Sequence, residues 1–166
     1  ELDKGKYRPG PTPSRNNIEW ATNRAQRLAE RTGVKFVDWK TLRLWKKNSE
    51  AHTTYLFDVR SAEEYESGHL PGSRTAPGGQ LVQAIDTYVG TLGAHIILVD
   101  DDGVRAKTTA SWLIQMGRPN VHVLTTPISA HTLETGPETL ELLQNEPSAS
   151  TLEVDPSMLA AQLAHQ

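Results

Sequence analysis

Three carboxylates in a row, Asp100, Asp101 and Asp102, follow the apolar run Ile96 to Val99 and precede Gly103, Val104 and Arg105. Past the carboxyl end of a buried strand, at the start of the next helix, free backbone N–H groups and the helix dipole attract anions. Acidic side chains placed there admit more than one chemistry. The triplet could hold a divalent cation, although adjacent residues rarely converge on one ion. Or Asp100 could fill the anion site itself. A second group, Asp58, Arg60, Glu64, Gly68, His69 and Gly72, begins at the end of another apolar stretch, TYLFDV. Polar groups at a buried strand end need partners, so Arg60 is expected to bridge Asp58 or Glu64, and His69 to orient a turn. The other histidines (His52, His95, His122, His131 and His165) lack metal-ligand spacing, and no metal is expected.

Composition narrows the function classes. The 166 residues, 37% hydrophobic and 22% charged, suit one compact domain with some extra chain. A net charge of −3 disfavours nucleic acid and acidic membrane surfaces as partners. No apolar stretch approaches the roughly 18 residues of a membrane span, and no signal-peptide pattern opens the chain. With no cysteine there is no disulfide, no thiolate metal site and no thiol nucleophile, which fits the expected cytoplasmic setting. The first residue is Glu1 rather than Met, as expected for a piece of a longer chain. No cofactor is implied: GGQ at 78–80 lacks the lysine of a phosphate loop, and Trp39, Trp45 and Trp112 suit packing.

The elements that must position these residues alternate. Pro9, Pro11 and Pro13 mark an arm. Apolar Ile18, Ala21, Ala25, Leu28 and Ala29 share one face of a helix over 17–32, with Asn16 and Glu19 spaced as a capping box. VKFV (34–37) is a strand, and Asp38 caps a helix carrying Leu42, Leu44 and Trp45. TYLFDV (54–59) is a strand, Ser61 and Glu64 cap a short helix, and 80–89 is an amphipathic helix. HIILV (95–99) is a strand buried on both faces, followed by a helix over 104–117, a strand at 121–124 and a helix over 137–145. Such alternation predicts an α/β fold with a parallel sheet. Near the end, VDPSMLAAQL echoes VDWKTLRL at 37–44, as two capped helices or as the start of a second unit of the same kind.

Two stretches together resemble the rhodanese-like domains. FDVRSAEEYESGHLPGS (57–73) is similar to the first signature of that family, Asp-x-Arg, Glu-aromatic, then Gly-His-aliphatic-x-Gly-small. ILVDDDGVRA, with TASWLIQMG and VHVL after it, resembles the second: strand, six-residue loop, helix, strand. The resemblance implies a parallel five-stranded sheet flanked by helices on both faces. It divides the chain into an arm or linker (1–16), an N-terminal helix (17–33), the rhodanese-like domain (34–145) and a linker with the start of a following segment (146–166).

The resemblance also implies sulfurtransferase chemistry. A cysteine at the first loop position takes a sulfane sulfur from a donor such as thiosulfate, forms a persulfide and passes the sulfur to an acceptor. Aligning Gly103 and Arg105 with the loop glycine and arginine of the family puts Asp100 at the cysteine position, and a carboxylate cannot carry a persulfide. The expectation is a catalytically inactive domain with a structural, regulatory or partner-binding role inside a protein with several such domains. Its partners would be neighbouring domains of the same chain or another protein. The alternative is part of an active thiosulfate or sulfane-sulfur transferase whose cysteine lies in another domain. IILVDDDGV also resembles the phosphatase motif of haloacid dehalogenases, a resemblance that implies Asp100 as nucleophile and Asp102 as general acid and base, but that mechanism needs a later lysine and acidic pair. The last lysine is Lys107, and this Asp-based reading leaves GHLPGS unexplained. If Asp100 accepts the loop N–H groups, they lower its pKa while Asp101 and Asp102 raise it, so the net direction stays open.

Overall fold

The computed structural model describes residues 14–48 and 52–138. Residues 1–13 of the arm expected over 1–16, the tail from 146 and residues 139–145 of the expected last helix lie outside them; Arg15 and Asn16 of that arm are already helical, and residues 137–138 are not. Helix α1 (Arg15–Thr32) starts earlier than the Asn16 spacing suggests, because the Ser14 side chain accepts the Asn17 N–H and caps it first. It stops at Gly33, whose φ of +73° suits a residue without Cβ, and the Val34 N–H then bonds Ala29 O. Next come β1 (Lys35–Val37) and α2 (Trp39–Lys47), capped by the Asp38 carboxylate at 2.7 Å from Thr41 N. Strand β2 (Thr54–Asp58) leads to α3 (Ala62–Ser67), which carries the expected Ser61–Glu64 capping box.

The helix expected over 80–89 is two short ones, α4 (Gly78–Gln83) and α5 (Ile85–Tyr88), because Ala84 leaves helical backbone at φ −134°, ψ 43°. Strand β4 (His95–Val99), helix α6 (Val104–Gln115) and strand β5 (Val121–Leu124) complete the frame, followed by a 3-10 turn at Ile128–Ala130. One strand was not anticipated. β3 (Arg74–Thr75) is two residues long, too short for any alternation to show.

The five strands are parallel in the order β1-β5-β4-β2-β3. β4 is central, so its residues are buried on both sides of the sheet. Ile96 and Leu98 join Ala29, Leu81, Ala106, Ala110 and Leu113 in one cluster, under α1, α4 and α6. Ile97 and Val99 join Leu42, Leu56, Leu70 and Ile128 in the other, under α2. Helices thus flank both faces. The most extensive helix pairing is α1 with α6, where Ala25, Ala29, Ala106 and Ala110 let the backbones approach and Thr32 Oγ1 bonds Ser111 Oγ at 3.0 Å.

Candidate functional site

Three strand ends and one helix start meet at one edge of the sheet. β4 delivers Asp100 just past Val99, with β2 and β5 on either side ending at Asp58 and Leu124. The loop then turns through Gly103 at φ +74°, where a Cβ would approach Lys107 Cε and Nζ to 3.3 Å, and α6 begins.

Asp100 is only 5% exposed. Its Oδ1 accepts Gly103 N–H at 2.7 Å and its Oδ2 accepts Ala106 N–H at 3.0 Å. Asp102 Oδ1 accepts Val104 N–H at 2.9 Å. Two carboxylates of the triplet therefore satisfy three amides of the loop and first turn, groups that otherwise await an anion or water. Burial pushes the Asp100 carboxyl above its usual range; the Ala106 and Gly103 amides pull the other way and lose. The direction left open by the sequence is thus set by desolvation.

Asp101 points elsewhere. Its Oδ1 accepts from Arg60 Nη1 at 3.1 Å, and its Oδ2 lies 3.6 Å from Arg105 Nη2. Arg60 was expected to bridge Asp58 or Glu64. It takes Asp58, with Nε at 3.0 and 3.2 Å and Nη2 at 2.7 Å, and also donates to Gly68 O at 2.5 Å. Burial alone would lower the Arg60 pKa, but the Asp58 hydrogen bonds and charge outweigh it and raise it. Arg105 instead takes Glu64, at 2.6 and 2.9 Å in the two-pronged arrangement suited to a guanidinium. The Arg105 hydrogen bonds hold the Glu64 carboxyl down at about 2. Arg60 and Arg105 are two rivets between the segment at 58–73 and the acidic loop, and Asp101 touches both.

His69 lies in the turn after α3. Its Nδ1 lies 2.9 Å from Tyr65 O, its ring stacks on Tyr65 at 3.8 Å between centroids, and its backbone pairs with Glu134. At Gly72, φ +69°, the carbonyl accepts from Lys46 Nζ at 3.1 Å, tying α2 to the turn. Asp58, Arg60, Glu64 and Gly68 therefore join a network that ends at the loop, whereas His69 and Gly72 hold the neighbouring turn. Two neighbours escaped the sequence: Gln26 of α1 and Lys107 of α6 line, with the acidic triplet, a cleft of about 330 Å³. Lys107 sits one turn into α6 and could have been inferred; Gln26 could not, because nothing local says that α1 lies there. No group of three or more histidine, aspartate or glutamate side chains among the described residues could hold a metal ion. No described helix is long and apolar enough to cross a membrane.

The family model for the Rhodanese-like domain matches residues 40–131. Thiosulfate sulfurtransferase from Pseudomonas aeruginosa, a solved structure, is 45% identical over 92% of this chain, with a TM-score of 0.75. The present chain spans 28% of that protein. The BH2092 protein from Bacillus halodurans shares the fold at 20% identity, covering 79% of this chain and 98% of its own, with a TM-score of 0.51. No curated protein matches the sequence.

Proposed function

Because the chain belongs to the rhodanese-like domain family, we propose that it is a catalytically silent unit with a structural, regulatory or partner-binding role in a larger sulfurtransferase-type protein. One observation carries this reading: the Asp100 carboxylate occupies the loop, each oxygen bonded to a backbone amide, where family chemistry needs a thiolate. In that chemistry a thiolate sulfur bonds to the sulfane sulfur of thiosulfate and sulfite leaves. A carboxylate oxygen gives no stable product of this kind. Its negative charge also repels the incoming dianion from amides already satisfied.

A larger context is supported by the 45% identical thiosulfate sulfurtransferase, of which this chain spans 28%. The same relation supports a second reading, in which the unit belongs to an active transferase whose cysteine lies in another domain. The absence of a disulfide from this chain fits a cytoplasmic setting. The test is the thiosulfate and cyanide assay: this chain should yield no thiocyanate above the blank. Turnover that disappears in Asp100→Ala would overturn the silent reading. In a longer protein carrying this unit, turnover that survives Asp100→Ala but is lost with a distant cysteine would select the second reading.

A further inference from the structure

The outer face of α2 carries charge that no ion pair among the described residues uses. Lys40, Arg43 and Lys47 recur at spacings of three and four and so form one stripe, about 10 Å long. None of the three joins an ion pair among the described residues, whereas Arg60, Arg74 and Arg105 all do. The fourth cation of the helix, Lys46, donates to Gly72 O. α2 contains no acidic residue, and its N-cap Asp38 is occupied by Thr41 N. Beside the stripe, Leu44 is 57% exposed, and with the Trp39 indole it lines a shallow groove of about 340 Å³ rimmed by the three cations. The groove is held from beneath. Leu42 is 1% exposed in the core, the Trp39 ring lies 4.3 Å from that of His131, and Trp45 stacks on His95 at 4.1 Å.

We propose that this face of α2 docks an acidic peptide segment of another protein, with an apolar side chain seated between Trp39 and Leu44 and carboxylates along Lys40, Arg43 and Lys47. Charge complementarity selects this occupant: three cations with no ion pair among the described residues surround an apolar floor, on a chain whose net charge is −3. A membrane is a poorer fit, because nine residues with one protruding leucine offer too little apolar area to lie in a bilayer interface. A second copy of this chain is also a poorer fit. Its most acidic stretch is committed at home, Asp101 to Arg60 and Asp102 to Val104. The proposal does not depend on whether Asp100 silences the loop.

The probe is a short fluorescein-labelled helical peptide with glutamates spaced to match the stripe and a central leucine. It is titrated by anisotropy at low salt against the full chain and against Arg43→Glu/Lys47→Glu and Leu44→Ser. Binding should weaken about tenfold or more in the charge-reversed variant and with added salt. It should also weaken about tenfold in Leu44→Ser and for a peptide whose leucine is replaced by serine. These residues are exposed, so the urea midpoint should hold in both variants. No binding to the chain, or equal binding to chain and variants, overturns the proposal. So does binding to phosphatidylserine vesicles in place of the peptide, or self-association that Arg43→Glu/Lys47→Glu abolishes.

Discussion

At Asp100 two effects compete within one side chain. The amides of Gly103 and Ala106 favour the charged form, and 95% burial of the residue disfavours it; burial prevails. A raised folded-state pKa means that ionised Asp100 costs stability at neutral pH, a cost relieved as pH falls through the raised value. Removing the carboxylate is still expected to destabilise, because two buried amides lose their acceptor, at about 1–3 kcal/mol, partly offset by release of the buried charge. Asp100→Ala should recover stability when millimolar thiosulfate or sulfate takes the vacated place, by about 1.4 kcal/mol at tenfold over Kd. Urea unfolding with and without the anion checks this, and an equal response from the parent chain contradicts it. Glu64 behaves oppositely. Its folded pKa of about 2 lies below the ordinary 4.5, so its stabilisation is present above pH 4.5 and fades as pH falls towards 2. The side chain is 39% exposed, so screening holds this to about 1 kcal/mol or less. The stability difference between the parent and Glu64→Gln should shrink between pH 5 and 3, and a constant difference would count against the Arg105 pair. The identities in this network were legible as motifs. The link from Arg60 to Asp101, 41 positions apart, was not, because a motif records residue types and not which of two arginines reaches which carboxylate.

At the scale of the element, α2 shows where periodicity stops informing. The pattern groups Leu42, Leu44 and Trp45, but it does not tell that Leu42 alone of the two leucines is buried, nor that Trp45 stacks on His95 and meets His122 edge-on. His95 starts β4 and His122 lies within β5, and only the sheet register brings them together. Burial lowers the pKa of both, with His52 and Lys35 nearby adding to the effect on His95, and His95 and Lys35 on His122. A depressed histidine contributes full stability above its unfolded value of about 6.5 and loses it as pH falls through the lower folded value. His95 Nδ1 is also buried without a hydrogen-bond partner among the described residues. His95→Phe keeps an aromatic ring against Trp45 and removes the titration. The variant should lose less stability than the parent between pH 7 and 5, measured by urea midpoint; parallel profiles would exclude His95 as the group responsible. Other misses have similar causes. No glycine or proline marks the break at Ala84, and a two-residue strand such as β3 has no period.

For the whole molecule, α/β class, a parallel sheet and helices on both faces follow from alternation and from the doubly buried run HIILV. Strand order comes from topology and has no local signature. The relation of α1 to the body was likewise hidden. Its apolar face was legible, but the partner of that face is α6, about 80 residues away in sequence. Ala29 is fully buried against it, while Ile18, nearer the start, is 44% exposed. A chain beginning at Val34 should therefore expose the alanine surface of α6 and bind a hydrophobic dye; unchanged solubility and urea midpoint would show that α1 is dispensable. The closed loop has a further consequence at this scale. An anion held from solution leaves when its concentration falls, so the order of such a loop follows the composition of the medium. Here the anion is tethered to the backbone it binds, at an effective concentration that dilution cannot change. Dialysis, dilution or a shift in sulfate concentration should leave the start of α6 as it is, and any surface built on it remains constant.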